Sequence, residues 1–144
     1  MNLFIKTRIS LNYRKVLKGF TLELFKALKP PLMPLEVERF DGCKTNDEVH
    51  LKVGPLKQQW ISIITNDFDD ETECGFIDEG KVIPPPLRYW HHTHRIVKIT
   101  EDESEIQDDI QFTTGFKILD ILVYPVLYLQ FAVRPSAYRK YFQK

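Results

Sequence analysis

Residues 116–142 form the sequence feature that most constrains the fold, because they are almost continuously apolar from residue 118 to residue 133. The stretch opens after Gly115 and becomes basic and amphipathic towards its end. A helix of this length would be about 40 Å long at 1.5 Å per residue, which is as long as a small domain is wide. Pro125 and Pro135 predict kinks or a break within it. We therefore expect a C-terminal helix around which a sheet is built.

The chain before this helix reads as short segments. Residues 3–11 alternate between apolar and polar side chains, which is the period of a half-buried strand. Asn12 and Thr21 are each placed to cap a short helix, and Pro30 and Pro31 end the second one. Six further strands are predicted, at residues 35–40, 48–53, 59–65, 72–79, 87–99 and 105–113. Their short connections favour an antiparallel meander, so residues 1–144 are predicted to form a single α+β domain.

The direction of the strands alternates in a meander, so every second loop lies at the same end of the sheet. One end collects residues 41–47, 66–71 and 101–104 and is strongly acidic, which is typical of a solvated rim. The other end collects apolar, proline-rich loops close to the start of the long helix. Exposed apolar loops are less common, so we predict a pocket mouth there. Its residues are Pro55, Leu56, Val82 and Ile83, placed over Phe116 and Leu119.

Composition excludes several classes of partner and location. Twenty basic residues balance twenty acidic ones, so the net charge gives no indication of nucleic-acid binding. Cys43 and Cys74 are too few for a disulfide framework, which favours a reducing, cytoplasmic location. Asp120, Pro125 and Gln130 interrupt the apolar run, which is also shorter than the roughly 20 residues of a membrane span. We therefore expect a buried helix without stable membrane insertion.

Polar side chains on three neighbouring strands are the candidates for chemistry. Side chains two residues apart on a strand share a face, so Trp90, His92 and His94 lie on one side of theirs. Asp108 shares the more apolar face of the next strand with Ile110 and Phe112, and Asp78 lies one strand earlier. If these faces are concave, the polar cluster Asp78, His92, His94 and Asp108 lies inside an apolar cavity. Such a cluster either fixes strand pairing through its own hydrogen bonds or serves as a ligand anchor or acid/base group.

A metal site is an alternative use of the same cluster. The spacing of His92 and His94 occurs at the metal-binding strands of cupins, and Asp108 is a conceivable third ligand. The remaining histidines, His50 and His91, lie far upstream and on the opposite face of the strand, so a closed site lacks ligands. The sequence also has no Gly-rich phosphate loop, nucleophile elbow or Cys-His pair. We therefore predict no metal and no cofactor.

The order of elements and several motifs resemble the START/Bet v 1-like (SRPBCC) superfamily, in particular its bacterial ligand-binding, polyketide cyclase/dehydrase-like branch. The most specific motif is Trp90-x-His92-x-His94 in the strand that follows Pro86. The other motifs are Leu28-Lys29-Pro30-Pro31, Phe76-Ile77-Asp78, residues 106–112, and the pair Phe131 and Arg134. The branch usually has Gly-Pro where this chain has three prolines. The resemblance implies a helix-grip fold, in which a seven-stranded antiparallel sheet curves around the C-terminal helix.

The resemblance also implies a cavity for a lipid, polyketide or aromatic compound between sheet and helix. Without a complete catalytic motif, we expect a carrier or sensor of a small hydrophobic molecule, acting as monomer or homodimer. The alternative is a cyclase or dehydratase that uses His92 or His94 with Asp108 as acid/base. The predicted ligand-binding residues are Asp78, Trp90, His92, His94, Asp108, Ile110, Phe112, Phe116, Leu119 and Val123.

Overall fold

The computed structural model describes residues 1–30 and 33–143, and this part of the chain holds seven strands and four helices. The strands are β1 (Asn2–Ile9), β2 (Leu35–Phe40), β3 (Glu48–Val53), β4 (Gln58–Asp69), β5 (Glu73–Val82), β6 (Tyr89–Thr100) and β7 (Glu103–Thr113). The helices are α1 (Tyr13–Lys18), α2 (Leu22–Ala27), α3 (Lys117–Phe131) and α4 (Arg134–Phe142).

All seven strands form one antiparallel sheet in the order β1-β7-β6-β5-β4-β3-β2. Strands β2 to β7 follow one another as a meander, and the first strand, β1, pairs with the last strand, β7. The helices α3 and α4 follow the last strand, and α1 and α2 lie between the first two. This is the predicted helix-grip architecture, and the fold prediction is confirmed.

Both predicted helix caps are present. The Asn12 side chain accepts a hydrogen bond from the Arg14 amide, and the Thr21 hydroxyl accepts one from the Leu24 amide. These bonds satisfy amide groups that have no partner inside a first helical turn. The helix α2 ends at Ala27, a few residues before Pro30. Pro31, predicted to help end that helix, lies outside the described residues.

The C-terminal helix is divided into two segments, as its prolines predicted. A turn at residues 132–133 separates α3 from α4, and Pro135 lies in the first turn of α4, where its missing amide hydrogen costs nothing. Pro125 remains inside α3. The buried Asp120 fixes the start of α3 on the sheet, because its carboxylate accepts hydrogen bonds from the Thr113 hydroxyl and from the amide and hydroxyl of Thr114.

One predicted loop is largely a strand. Residues 66–71 were expected to form an acidic loop, but β4 continues to Asp69 and remains paired with β5 as far as the pair Asp69↔Cys74. The register shifts between Ile64 and Asn66, so the strand carries an irregularity where the prediction ended it. The polar side chains of this segment suggested a loop because polar residues are usually exposed to solvent. The segment is nevertheless a strand, because its backbone forms hydrogen bonds with β5.

Two groups of buried apolar side chains hold the helices on the sheet. The first lies under α1, α2 and α4, and the second lies under α3. The first consists of Ile9, Tyr13, Val16, Leu24, Leu28, Cys74, Ile96, Ile106 and Tyr138. The second consists of Leu3, Ile5, Leu87, Trp90, Ile110, Phe112, Leu127 and Phe131.

The helix α3 has apolar side chains on both its sides. Leu127 and Phe131 are buried against the sheet, whereas Ile118, Leu122 and Leu129 are exposed. By length and composition alone, the stretch Lys117–Phe142 meets the requirements of a membrane span within the described residues. One such helix is weak evidence, because the core helix of a soluble protein also meets them. The arrangement is a sheet-and-helix domain, and the expectation of a buried helix is met only on the face of α3 that carries Leu127 and Phe131.

Candidate ligand-binding site

A cavity of about 500 Å³ lies between the sheet and the helices α2 and α3. This volume is within the range of roughly 300–1,000 Å³ that small-molecule sites occupy. Apolar side chains from both helices and from the five neighbouring strands β2 to β6 form most of the wall. They include Phe20, Leu24, Phe25, Leu51, Trp60, Ile64, Phe76, Trp90, Val123, Leu127 and Phe131. Three polar side chains of the predicted cluster, Asp78, His92 and His94, line the same cavity.

The register of β5, β6 and β7 brings the polar cluster together. Asp78 on β5 lies opposite His92 on β6, and His94 lies opposite Asp108 on β7. Every second residue of these strands faces the helices, so all four side chains point to the concave face. His92, His94 and Asp108 are buried, as predicted from the alternation.

Each histidine contacts one carboxylate closely. His92 Nε2 lies 2.9 Å from Asp108 Oδ1, and His94 Nε2 lies 2.5 Å from Asp78 Oδ2. The two imidazoles are stacked, with ring centroids 3.6 Å apart. Phe76 also stacks on His94, with ring centroids 4.3 Å apart. The stacking and the hydrogen bonds hold both rings in fixed orientations.

The helix α4 adds two residues that sequence reasoning did not assign to the site. Arg134 Nη1 donates to Asp108 Oδ1 at 2.9 Å, and the Tyr138 hydroxyl donates to the same oxygen at 3.3 Å. The Arg134 guanidinium also lies 4.5 Å from the centre of the Phe131 ring. Arg134 entered the prediction only as part of a family motif. The one available signal was the four-residue spacing of Arg134 and Tyr138, which places them on one helix face.

Burial and charge set the protonation of the cluster. Burial, together with the charge of His94, lowers the pKa of His92 to about 4, so His92 is neutral at pH 7. Burial opposes ionisation of Asp108, but Arg134 and the hydrogen bond from His92 outweigh it and hold the pKa of this carboxyl well below its ordinary value. Burial likewise opposes ionisation of Asp78, and the hydrogen bond from His94 leaves the pKa of that carboxyl lowered. Both carboxylates are therefore ionised at neutral pH.

The predicted residues are distributed over three environments. Asp78, Trp90, His92, His94 and Val123 line the cavity, and Asp108 lies behind the histidines. Ile110 and Phe112 pack in the core under α3 and are absent from the cavity wall. Phe116 and Leu119 line a second, smaller pocket of about 280 Å³. That these residues bind a ligand stays a prediction.

The predicted mouth residues are also separated. Pro55 lines the main cavity, whereas the neighbouring Leu56 side chain is 80% exposed and lies outside its wall. Ile83 lines the smaller pocket with Phe116 and packs against the core group around Trp90. Val82 is exposed and lines neither pocket. The predicted neighbourhood of Ile83, Phe116 and Leu119 therefore exists, but it surrounds the small pocket.

Asp78, His92 and His94 are close enough to share a metal ion, since one ligand atom of each lies within 4.8 Å of the others. The carboxylate of this group is Asp78, whereas Asp108, the conceivable third ligand, accepts a hydrogen bond from Arg134. The lone pairs of imidazole nitrogens lie in the ring planes, and the planes of the stacked rings differ by 26°. The stacking therefore restricts how both rings could approach one ion.

These features define a helix-grip domain with an internal cavity and a buried polar cluster. No family model matches the sequence, and no curated protein matches it. Among solved structures, an uncharacterised protein from Bacillus thuringiensis is 15% identical, with a TM-score of 0.70 over 100% of both chains.

Norcoclaurine synthase from Thalictrum flavum is 11% identical, with a TM-score of 0.70 over 99% of this chain and 94% of that chain. A hypothetical protein from Helicobacter pylori is 10% identical, with a TM-score of 0.72 over 99% of this chain and 88% of that chain. At these identities the similarity establishes the fold alone, which is the Bet v 1-like helix-grip fold.

Proposed function

We propose that this protein binds a small hydrophobic or amphipathic molecule in its internal cavity and acts as a carrier or sensor. The observation that carries the proposal is a cavity of about 500 Å³ whose wall is mainly apolar and holds a compact polar cluster. Ligand sites commonly combine such a wall with a few convergent polar groups that fix orientation. Lipids, polyketides and aromatic compounds are the ligand classes that fit this description.

The exposed edge of the cavity supports access from solvent. Leu122 and Val126 on α3 line the cavity and are also more than half exposed. Pro55, Pro85 and Pro86 line it from the loops opposite. Apolar side chains that face both solvent and a cavity are expected where an apolar ligand enters.

The fold relatives support the same class of function. One solved structure of norcoclaurine synthase holds dopamine and hydroxybenzaldehyde. A fold of this kind therefore accommodates small aromatic molecules in that protein. We extend this to the present chain as a proposal, together with the closer assignment to the bacterial polyketide cyclase/dehydrase-like branch.

The first test is native mass spectrometry of the protein purified from its own host. A co-purifying small molecule that is released chemically unchanged is the expected result. A variant with a filled cavity, Val123→Trp, is expected to lose this molecule, whereas Ile121→Trp on the outer side of the same helix keeps it. Equal retention by both folded variants would contradict binding in this cavity.

A second candidate is a cyclase or dehydratase that uses His92 or His94 as acid/base. The observation that favours it is the pair His92 and Asp108. The Asp108 carboxylate orients the imidazole through Nε2, whereas Nδ1 of His92 lies on the cavity side. Turnover of a bound ligand that is lost in His92→Ala and His94→Ala would support this enzyme. Release of unchanged ligand from wild-type protein would support the carrier.

The proposal also covers the cellular location, oligomeric state and partners of the protein. We propose a cytoplasmic protein that acts as monomer or homodimer, without nucleic-acid binding, stable membrane insertion, metal or cofactor. The balanced charge of twenty basic and twenty acidic residues supports the absence of nucleic-acid binding. Size-exclusion chromatography coupled to light scattering distinguishes the two oligomeric states.

A further inference from the structure

Two hydrogen-bond acceptors face each other at the polar end of the cavity. They are His92 Nδ1 and Asp78 Oδ2, which lie 3.6 Å apart and are called here the acceptor pair. Resting on the proposed function, we propose that the ligand carries a neutral hydroxyl group, an alcohol or a phenol, that donates its proton to this acceptor pair.

The hydrogen bonds around Asp108 fix the proton on His92. Arg134 and Tyr138 both donate to Asp108 Oδ1, so this oxygen is an acceptor. His92 Nε2, at 2.9 Å from the same oxygen, must therefore be the nitrogen that carries the proton. A neutral imidazole has one N–H only, so Nδ1 presents a lone pair to Asp78.

The hydrogen-bonding role of Asp78 Oδ2, the second member of the acceptor pair, is also fixed. Asp78 Oδ2 accepts the short hydrogen bond from His94 Nε2, and an ionised carboxylate has no proton to donate. The His92 side chain is buried and that of Asp78 is 14% exposed, and both line the cavity. Two acceptors at this distance repel each other unless a donor approaches both, and buried acceptors are normally satisfied.

Charges nearby select a neutral donor. An anionic head group such as a carboxylate would face the carboxylates of Asp78 and Asp108. A cationic head group would have to give up its hydration inside a mainly apolar wall, where Arg134 already supplies a positive charge to the cluster. A hydroxyl group avoids both costs and supplies the proton that the acceptor pair lacks.

Three ligands with the same ring system test this selectivity on the wild-type protein at pH 7: naphthalene, 2-naphthol and 2-naphthoate. One hydrogen bond to a charged or buried acceptor corresponds to about tenfold in affinity. We therefore expect 2-naphthol to bind about tenfold more tightly than naphthalene, and 2-naphthoate to bind at least about tenfold more weakly than 2-naphthol. Calorimetry or equilibrium dialysis measures the three dissociation constants.

The outcomes separate the two proposals. Binding of naphthalene and 2-naphthol with equal affinity, or tightest binding of 2-naphthoate, overturns the hydroxyl anchor and leaves the apolar cavity in place. Failure of all three ligands to bind overturns the proposed function together with the anchor.

A variant and its matched control locate the effect. Asp78→Asn removes the carboxylate charge and leaves a weaker, neutral acceptor beside His92, so the preference for 2-naphthol over naphthalene is expected to fall towards one. Discrimination against 2-naphthoate should weaken in the same variant.

The control is Glu79→Gln, the next residue on β5, whose carboxylate pairs with His91 at 3.0 Å on the opposite side of the sheet. Loss of the preference in Glu79→Gln, or its retention in folded Asp78→Asn, overturns the assignment. If Asp78→Asn does not fold, the wild-type comparison alone decides.

Discussion

Asp108 is a fully buried carboxylate whose charge is stabilised by the Arg134 guanidinium and by hydrogen-bond donors. Arg134, His92 and Tyr138 all approach its Oδ1 atom. A buried ion pair contributes little net stability, but removal of one partner leaves the other charge uncompensated. Arg134 therefore matters for folding and for the ionisation of Asp108.

Arg134→Met is expected to destabilise the protein by about 3 kcal/mol, because Asp108 is left as a buried charge without its cation. Urea denaturation measures the change. Arg139→Met on the same helix removes an exposed cation and is expected to change the free energy of unfolding by less than about 0.5 kcal/mol. The double variant Arg134→Met/Asp108→Asn should regain part of the loss. Equal effects of the two arginine substitutions would contradict this account.

Stability is expected to fall as the pH falls from about 6.5 to about 4. In this window the unfolded chain binds a proton at His92, whose ordinary pKa is 6.5, whereas burial holds the pKa in the folded protein at about 4. Since the unfolded state binds more protons, the free energy of unfolding rises with pH. The expected loss between pH 7 and pH 4.5 is about 2 kcal/mol, measured by urea denaturation at both values.

The lowered pKa values of Asp78 and Asp108 act in the same direction, but only at lower pH, where these carboxyls take up protons. His92→Gln cannot titrate and should flatten the dependence between pH 6.5 and pH 4. An unchanged slope in this variant would contradict the assignment to His92.

The helices α3 and α4 differ in what they contribute. The helix α4 brings Arg134 and Tyr138 to the polar cluster, whereas α3 covers the apolar part of the cavity. Gly75 allows β5 to approach β6 beside the cluster, because a Cβ atom there would lie 1.9 Å from the His94 carbonyl oxygen. At the edge of α3, the apolar side chains of Leu122 and Val126 face both cavity and solvent.

Leu122→Gln is expected to weaken binding of the apolar fluorescent probe N-phenyl-1-naphthylamine several-fold, because Leu122 lines the cavity although its side chain is 64% exposed. Ile118→Gln, on the same helix and 77% exposed, lies outside the cavity wall and serves as control. Both positions are exposed, so the thermal midpoint should change little in either variant. Equal loss of probe binding in both variants would place the entrance elsewhere.

At the scale of the whole molecule, the cavity links ligand binding to stability. Side chains around a cavity lack the contacts that a filled core provides, and a ligand that binds only the folded state restores them. The two core groups on either side hold the sheet and helices together without a ligand.

A bound apolar ligand is expected to stabilise the folded protein by about 2.7 kcal/mol at a free concentration one hundred times its dissociation constant. Thermal denaturation with increasing 2-naphthol should therefore show a midpoint that rises with the logarithm of the concentration. The filled-cavity variant Val123→Trp should show no such rise. A midpoint that rises equally in this variant would indicate binding at another site.

Local patterns in the sequence determined the architecture. The alternation around Trp90, His92 and His94 fixed which side chains face inward, and Asn12 and Thr21 capped the helices as predicted. These features depend on residues close together in the chain. The strand that replaced the predicted loop at residues 66–71 depended on its partner strand instead, which local composition does not report.

The site required the tertiary structure. The sequence placed Asp78, His92, His94 and Asp108 on one face, but it did not indicate which carboxylate each histidine contacts. It also gave no partner for Arg134 or Tyr138, which are 26 and 30 residues from Asp108. Likewise, Ile110 and Phe112 share the inward face and yet pack beside the cavity, because the position of α3 decides which part of that face stays open. Facing inward is a property of a strand, whereas the cavity and its charges arise only where helices and strands from distant parts of the chain meet.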